Sequence, residues 1–396
     1  MTATDPIVVT GAARTPMGGL QGVLAPVTAP ELGARAIAAA LARSGLDPEA
    51  VEEVIMGCVL PAGQGQAPAR QAALGASLPL AAGCTTVNKM CGSGMKAAML
   101  AHDLLQVGSA TVMVAGGMES MTNAPYLLPR ARSGYRLGHG QVLDHMFLDG
   151  LEDAYDKGRL MGTFAEDCAS HYGFSREAQD EYAITSLTRA RKAVEDGTFA
   201  VEVAPVTVST RKGEQCIEHD EQPYNASIDK IPQLRPAFRK DGTVTPANAS
   251  SISDGAAALV LMRRSEAERR GLTPLAVIHG HATHAQAPAW FTTAPMGALR
   301  KLLERVGWHA GEVDLYEINE AFAVVAMAAM RELDLPHDRV NIHGGACALG
   351  HPIGASGARI MVTLLHALHK YGLRRGVASL CIGGGEATAI ALERLD

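Results

Sequence analysis

Apolar and polar positions along this chain follow two different spacings in turn. Short runs rich in Val, Ile and Thr predict buried strands, and Ala-rich stretches with apolar residues every three or four positions predict helices. Up to residue 120 the pattern predicts strands at 7–10, 54–59, 85–88 and 111–115, and helices at 29–43, 68–74 and 93–107. Because strands and helices alternate, we predict βαβ units and an α/β fold in which helices cover both faces of a sheet.

The pattern changes between residues 118 and 248. Pro, Gly and charged residues become frequent there, and the one long predicted helix covers residues 175–196, with Ser175 as its N-cap. A stretch of this length exceeds an ordinary connection, so we interpret it as an inserted loop domain. The prediction for the whole chain is a first core half at 1–120 plus 249–272, a loop domain at 121–248 and a second core half at 273–396.

Regular alternation returns after the predicted loop domain and repeats the pattern of the first half. Strands are predicted at 256–262, 275–280, 315–318, 340–343 and 377–382, and helices at 296–306, 321–332 and 354–369. Gly92-Ser93-Gly94 and Ala355-Ser356-Gly357 each open an apolar helix that leads to a strand and a run of glycines. We interpret this match as a duplicated core. If the halves pack about a pseudo-twofold axis, Cys91 and His351 lie at the starts of equivalent helices, and a ligand site is expected between the halves.

Composition narrows the class of protein. With 47% apolar residues, 4% aromatic residues and 42 glycines, the chain suits tightly packed helices on sheets and not a disordered protein. A net charge of −6 with both signs mixed along the sequence argues against a nucleic-acid partner. The seven cysteines form no CxxC pair, which argues against a disulfide framework or a zinc ribbon. We find no basic leader and no apolar run near the ~20 residues that span a bilayer, so we expect a cytoplasmic protein with no membrane partner.

Four short segments at predicted strand or helix ends carry reactive side chains. Cys91 precedes a helix whose N-terminal N–H groups and dipole favour a thiolate, although a small buried core residue is the commoner role of a cysteine. His351, held in extended backbone by Pro352, is a candidate base or a structural N-cap. Cys381 ends a strand before three glycines, where it is either a second reactive thiol or a core residue. Asn319 either caps the next helix or fixes a water or the imidazole.

Other suggestive patterns do not support a cofactor or metal site. His279, His281 and His284 resemble a metal-binding spacing, but no carboxylate is interleaved and His284 lies beyond the predicted strand, so we predict no metal site. The glycines at 383–385 are not followed by the Lys-Ser/Thr pair of a phosphate loop. No dinucleotide fingerprint follows the first strand either.

Taken together, the segments resemble the thiolase family, and within it the acetyl-CoA acetyltransferases. The resemblance runs over essentially the whole chain, through Arg14-Thr15-Pro16, Asn88-Lys89-Met90-Cys91-Gly92-Ser93-Gly94, Gly116-Gly117-Met118-Glu119-Ser120-Met121, Asn248-Ala249-Ser250, Asp254-Gly255-Ala256-Ala257, Asn319-Glu320-Ala321-Phe322, Gly350-His351-Pro352-Ile353-Gly354 and Cys381-Ile382-Gly383-Gly384-Gly385. It implies a thiolase fold, with two βαβαβαββ halves in a five-layered αβαβα core and a loop domain inserted in the first half. It also implies a homo-oligomer, either a dimer or a tetramer.

The resemblance implies a role for each candidate residue in acetoacetyl-CoA formation or cleavage. Cys91 resembles the nucleophile that takes the acyl group, His351 the base that activates it, and Cys381 the acid/base that moves an α-proton of the second substrate. Asn319 resembles the residue that holds a water, which with His351 forms one oxyanion hole; the N–H groups of Cys91 and Gly383 form the other. Coenzyme A is implied as a substrate, with no bound cofactor. The residues implied along its path are Leu151, Met161, Phe238, Ala249, Ser250, Ala321 and Phe322.

Departures from the family pattern leave the acyl length open. Leu160-Met161-Gly162 stands where short-chain members carry His-Met-Gly, and Glu386 follows the three glycines, where a carboxylate is unusual. Around residues 223–230 we find no clear counterpart of the family's CoA-contacting arginine, and Lys230 and Arg235 are no more than candidates for this contact. The alternatives are a degradative 3-oxoacyl-CoA thiolase for longer or branched chains, and a non-catalytic CoA-binding scaffold. A decarboxylating condensing enzyme is disfavoured because such enzymes typically carry histidine in place of the second cysteine.

Overall fold

The computed structural model describes residues 5–211 and 213–395. The first part of the chain forms two strands and then helices and strands in alternation, with one short 3₁₀ turn at Pro48–Ala50. These elements are β1 (Ile7–Arg14), β2 (Gly18–Gly19), α1 (Ala29–Ser44), β3 (Glu53–Gly57), α2 (Pro68–Gly75), β4 (Gly83–Val87), α3 (Ser93–Val107) and β5 (Val112–Ser120). The start of α1 shows how local sequence sets a boundary, because Thr28 and Glu31 form a reciprocal capping box and Gly45 ends the helix at a φ of 70°.

A long segment follows β5 before the chain returns to the sheet. It contains β6 (Tyr126–Leu127), β7 (Leu143–Asp144), a π-helical turn (Phe147–Leu151), α4 (Met161–Tyr172), α5 (Arg176–Glu195), β8 (Val206–Thr210), β9 (Gly213–Ile217) and α6 (Gln222–Asn225), with 3₁₀ turns at Thr198–Val201 and Ile228–Gln233. The predicted N-cap of the long helix is confirmed, since the side chain of Ser175 accepts a hydrogen bond from Ala178 N–H. The predicted division into domains at 120, 248 and 272 stays a prediction.

The chain then adds the remaining strands of the large sheet. The elements are β10 (Ser253–Arg263), α7 (Arg264–Arg269), β11 (Ala276–Ala285), α8 (Ala294–Val306), β12 (Leu315–Ile318), α9 (Ala323–Leu333), α10 (Ala346–Leu349), α11 (Ser356–Tyr371), β13 (Arg375–Ile382) and β14 (Glu386–Arg394). Short 3₁₀ turns lie at Pro288–Thr293, Ala310–Glu312 and His337–Arg339. None of the helices in the described parts of the chain combines the length and apolar character that crossing a membrane requires.

The strands run in the order β12-β13-β14-β11-β1-β10-β5-β3-β4, and the two halves of this order meet at β1 and β11. That junction is short, with only Val8–Val277 and Val9–Ala276 paired. In each half the neighbouring strands are both parallel and antiparallel: β3 pairs in parallel with β4 and β5, and β12 with β13, whereas β10 and β14 pair antiparallel with their neighbours.

The layers of the fold follow from which apolar faces pack together. Helices α1 and α2 pack on the outer face of the first half, and α8 and α9 pack on the outer face of the second. Helices α3 and α11 lie between the two halves, in one apolar cluster that draws residues from strands of both. The predicted five-layered αβαβα core is confirmed, with α3 and α11 as its central layer.

Glycine permits a very close approach of the two central helices. A Cβ atom on Gly357 of α11 would lie 2.4 Å from the backbone nitrogen of Met95, and one on Gly94 of α3 would lie 2.8 Å from the backbone nitrogen of Ala358. Strand β5 approaches the turn before α11 just as closely, since a Cβ on Gly117 would lie 2.0 Å from the carbonyl oxygen of Gly354. The first turns of α3 and α11 are therefore in backbone contact, and the residues that precede them are brought to one place.

The structure contradicts one strand predicted in the second half and excludes one of the two roles considered for Asn319. No strand forms at 340–343: Val340 makes a single bridge with Tyr316, and the chain then turns at Asn341, which has a left-handed φ of 49°. The side chain of Asn341 pairs with both the N–H and the C=O of Ile318, so it supplies the bonds that a strand neighbour would have made. Helix α9 begins at Ala323, with Phe322 as its N-cap residue, so Asn319 does not cap this helix.

We expect Gly357→Ala to loosen the contact between the central helices. Because the added methyl meets backbone and not a movable side chain, the free energy of unfolding should fall by about 1–3 kcal/mol, measured by urea denaturation. Gly311→Ala is the matched control, since a Cβ at Gly311 meets nothing within 4 Å. Equal stability of the two variants would contradict the proposed backbone contact.

Candidate active site

Cys91 lies in a tight turn between β4 and α3. Met90 adopts a left-handed φ of 47°, and its N–H donates to the side-chain oxygen of Asn88 at 2.9 Å. Ser93 closes the turn, because its hydroxyl accepts from Lys89 N–H at 2.9 Å and donates to the Met90 carbonyl at 2.6 Å. These local bonds hold the Cys91 side chain at the start of the helix, where it is partly exposed to a cavity.

The charge state of Cys91 differs from the sequence prediction. Burial raises the pKa of the Cys91 thiol to about 11, while the N–H groups of Gly383 and of Cys91 itself lower it by less. The prediction that the helix N-terminus favours a resting thiolate is therefore wrong, because desolvation outweighs the nearby donors. In the free protein Cys91 is a neutral thiol.

One ring nitrogen of His351 is hydrogen-bonded, and the other has no partner among the described residues. Its Nδ1 lies 2.6 Å from the hydroxyl oxygen of Ser356, and that hydroxyl donates to the carbonyl of Pro352 at 2.9 Å. Because the serine proton is committed to Pro352, we infer that Nδ1 carries the imidazole proton and donates to Ser356. Nε2 then has a free lone pair, and this buried atom has no hydrogen-bond partner among the described residues. Burial lowers the pKa of His351 to about 3, with a smaller contribution from Arg359, so the ring is neutral.

Asn319 and Cys381 lie close to Cys91 and His351 and are more deeply buried. The side-chain nitrogen of Asn319 is 3.5 Å from Nδ1 of His351, and its buried oxygen has no partner in the described parts of the chain. Cys381 is 1% exposed and belongs to an apolar cluster that includes Phe164 and Phe291. Burial raises the pKa of Cys381 well above its ordinary value, and the Cys91 thiol adds to the effect. Both cysteines are therefore neutral thiols in the same small region.

A cavity of about 350 Å³ opens onto Cys91, His351 and Gly383. Asn319 and Cys381 do not line it directly. All seven residues predicted along the coenzyme A path contribute to its wall: Leu151, Met161, Phe238, Ala249, Ser250, Ala321 and Phe322. The wall also contains residues that the sequence argument did not select: Phe147, Gly150, Leu160, Gly162, Ala237, Pro246, Ser251, Ile252, Phe291 and Ile353. The cavity is thus a mostly apolar channel that ends at a thiol, an imidazole and a backbone N–H.

Two buried carboxylates that sequence reasoning missed hold the loops of the site. Glu119 accepts hydrogen bonds from the N–H groups of Val59, Leu60 and Gly354, so it fixes the loop that follows His351. Burial raises the pKa of Glu119 to about 7. The only sequence signal was its place after Gly116-Gly117-Met118 at the end of β5.

Glu320 holds the loop that carries Asn319. Its carboxylate accepts from the hydroxyls of Tyr182 at 2.9 Å and Ser186 at 2.7 Å, and from the side chain of Asn341 at 2.9 Å. A fourth bond comes from Cys347 N–H at 3.1 Å. The partners come from distant parts of the chain, which is why spacing along the sequence did not reveal them.

The unusual carboxylate at 386 has a partner away from the thiols. Glu386 forms an ion pair with Lys89, and both side chains are partly buried. This pair joins the turn before Cys91 to the hairpin after Gly383, so it connects the two halves at the edge of the site. Lys230 and Arg235, the candidates for contact with the coenzyme A phosphates, do not line the cavity.

Comparison with known proteins agrees with this arrangement. The model of the thiolase N-terminal domain matches residues 7–265, and that of the thiolase C-terminal domain matches residues 272–394. Acetyl-CoA acetyltransferase 1 of Arabidopsis thaliana is 52% identical over 98% of this chain and 94% of its own length. Acetyl-CoA acetyltransferase of Escherichia coli is 50% identical over 98% of this chain and 99% of its own length.

Solved structures extend the comparison to the fold. The acetyl-CoA acetyltransferase of Bacillus anthracis superposes with a TM-score of 0.96 at 42% identity, over 100% of both chains. A thiolase of Ascaris suum, solved in complex with coenzyme A, superposes with a TM-score of 0.92 at 42% identity, over 98% of this chain and 100% of its own. With both family models matched and likeness over nearly the whole length, the chain belongs to the thiolase family.

Proposed function

We propose that this chain is an acetyl-CoA C-acetyltransferase, which condenses two acetyl-CoA molecules reversibly to acetoacetyl-CoA and free coenzyme A. The observation that carries the proposal is the apolar cavity that ends at Cys91, His351 and Gly383. A thioester can reach a nucleophile, a base and an oxyanion donor only where all three converge. The names of the relatives point to the same reaction.

The first half-reaction transfers an acetyl group to Cys91. As the thiol attacks the thioester carbonyl, Nε2 of His351 takes its proton, and the new C–S bond replaces the bond to coenzyme A. The departing thiolate takes the proton back from His351 and leaves as free coenzyme A. Because Nδ1 of His351 is already bonded to Ser356, Nε2 is the nitrogen available for this transfer.

The second half-reaction forms the carbon–carbon bond. Cys381 acts as the acid/base: it first passes its own proton to the neutral Nε2 of His351, and the thiolate then removes a proton from the methyl carbon of the second acetyl-CoA. The resulting carbanion attacks the acetyl group on Cys91, the C–S bond breaks, and Cys91 leaves as a thiolate that takes the proton back from His351. The N–H groups of Cys91 and Gly383 form one oxyanion hole; His351, with a water held by Asn319, forms the other. Each donor is worth about 3 kcal/mol in the transition state.

We also infer the partners, the location and the oligomeric state of the protein. Coenzyme A and acyl-CoA are the partners, with no nucleic acid or membrane partner and no resident cofactor. We infer a role in fatty acid metabolism and a cytoplasmic location; seven free cysteines suit a reducing compartment. We infer a homo-oligomer, either a tetramer or a dimer.

A second candidate is a thiolase for longer or branched 3-oxoacyl-CoA substrates. One observation favours it: the cavity wall has apolar Leu160, Phe147 and Phe291 beside the predicted path, and these side chains suit contact with a longer acyl chain. The relatives named for acetyl-CoA make this the weaker candidate.

Removal of the two thiols should separate the half-reactions. We expect Cys91→Ala to abolish both covalent labelling by radioactive acetyl-CoA and all turnover. Cys381→Ala should still be labelled, while its condensation rate falls by roughly 10²–10⁴-fold, since it loses proton transfer at carbon. The exposed Cys216→Ala is the control and should behave as the wild type. Condensation by Cys381→Ala at the native rate would rule out its assigned role.

Loss of the Ser356 hydroxyl should weaken the base without removing it. In Ser356→Ala the proton on Nδ1 of His351 loses its acceptor, so the free lone pair is no longer fixed on Nε2. Base catalysis supplies roughly 10²–10⁴-fold in rate, and we expect kcat to lose part of this factor while KM stays nearly unchanged. Ser379→Ala removes a buried hydroxyl that donates to the carbonyl of Thr388 at 2.9 Å, and serves as the control. An equal loss of kcat in both variants would show that the effect is only structural.

The acyl-length profile distinguishes the two candidate functions. We expect kcat/KM for thiolysis to be at least about tenfold higher with acetoacetyl-CoA than with 3-oxohexanoyl-CoA, and Leu160→Ala to narrow the difference by widening the cavity. A clear preference of the wild type for the longer ester would favour the degradative thiolase.

A further inference from the structure

We propose that His102, Asp103 and His281 form a binding site for one divalent transition-metal ion of the zinc type, at the junction of the two halves and apart from the active site. His102 and Asp103 lie near the C-terminal end of α3, and His281 lies in the middle of β11. The three side chains come from elements that belong to different halves of the core.

The ligand atoms already converge. The Asp103 oxygen Oδ1 lies 3.1 Å from Nδ1 of His102 and 2.8 Å from Nε2 of His281. All three ligand atoms lie within 4.8 Å of one another. In a tetrahedral zinc site with bonds of about 2.0–2.2 Å, neighbouring ligand atoms stand roughly 3.3–3.5 Å apart. Small movements of the side chains would therefore complete three of the four positions.

Burial and access suit a bound ion. The two imidazoles are held in an edge-to-face arrangement with centroids 5.2 Å apart, and their side chains are only 14% and 13% exposed. Asp103 is 54% exposed, so it leaves a path for the ion and a fourth position for water. Two fixed nitrogens and one movable oxygen give a site that loses little side-chain entropy on binding.

The charges around the cluster are one carboxylate and two cations. Asp103 supplies the negative ligand, and its Oδ1 already lies within hydrogen-bond distance of both imidazoles. Lys96 lies near His281, and Nη1 of Arg305 donates to the carbonyl oxygen of His281 at 2.5 Å. Both cations limit the affinity for a metal ion, but neither occupies a ligand atom.

The other histidines of β11 lie outside this cluster. His279 pairs with Glu393, and Nε2 of His284 lies 3.0 Å from the side chain of Gln286. Within residues 5–211 and 213–395, His102, Asp103 and His281 are the one group of three such ligands close enough to share an ion. From the sequence, a metal site at residues 279, 281 and 284 was rejected because no carboxylate lies between them. In the structure the carboxylate beside His281 comes from α3.

An ion here would connect α3 to the second half. Cys91 lies eleven residues before His102, roughly 16 Å along the helix, so the ion would not touch the reacting atoms. It would stabilise the packing between halves, because it binds only when α3 and β11 are in place. The proposal is therefore independent of the proposed reaction.

The test is a titration of chelator-treated, full-length protein with Co²⁺ and Zn²⁺. We expect one Co²⁺ per chain, with visible absorption typical of nitrogen and oxygen ligands and no thiolate charge-transfer band. His281→Gln and the exposed Asp103→Asn should each weaken binding by more than about tenfold. The matched control His279→Gln, which alters the same strand, should bind as the wild type does.

Thermal unfolding gives a second readout. Zn²⁺ should raise the midpoint of the wild type and of His279→Gln, and should not raise that of His281→Gln or Asp103→Asn. Circular dichroism without metal checks that all variants are folded. Absence of binding, binding that is equal in all variants, or a thiolate band from the cysteines would each overturn the proposal.

Discussion

The contact between the first turns of α3 and α11 is the constraint on which the site depends. Gly94 and Gly357 let two helix backbones meet where any side chain would hold them apart. Each helix belongs to one half of the duplicated core, and each is preceded by a turn with one reactive residue. Because the helices meet at their N-terminal ends, Cys91 and His351 face the same cavity although 260 positions separate them. The geometry of catalysis is thus set by packing in the central layer.

The same buried position determines the charge state of the site. A thiol with a pKa of about 11 and an imidazole with a pKa of about 3 do not exchange a proton in the free protein. The ion pair becomes favourable only when a substrate brings charge that the N–H groups and Nε2 can stabilise. A neutral thiol is a weaker nucleophile than a thiolate, so the buried position of Cys91 disfavours its reaction in the absence of substrate.

The secondary-structure elements and the reactive residue types could be predicted well from the sequence. The burial and the charge state of those residues could not. The bounds of α3 and β12 were predicted to the residue, because the glycines at the helix start and the short apolar run of the strand are local signals. The thiolate at Cys91 was predicted wrongly because the cost of burial depends on the whole fold. The strand at 340–343 failed for a related reason, since the side chain of Asn341 competes with the ladder. The partner of His281 lies 178 positions away and has no local signal at all.

Buried acceptors explain how short loops can hold reactive groups without regular structure. The loops that carry Asn319 and His351 are each tied to a carboxylate that accepts at least three hydrogen bonds, Glu320 for the first and Glu119 for the second. These bonds hold both loops without using Oδ1 of Asn319 or Nε2 of His351. Asn319 and His351 can therefore each keep one buried polar atom open, Oδ1 and Nε2, among the described residues. In a protein interior an open polar atom is costly, and it is retained where a substrate or a bound water will complete its hydrogen bonds.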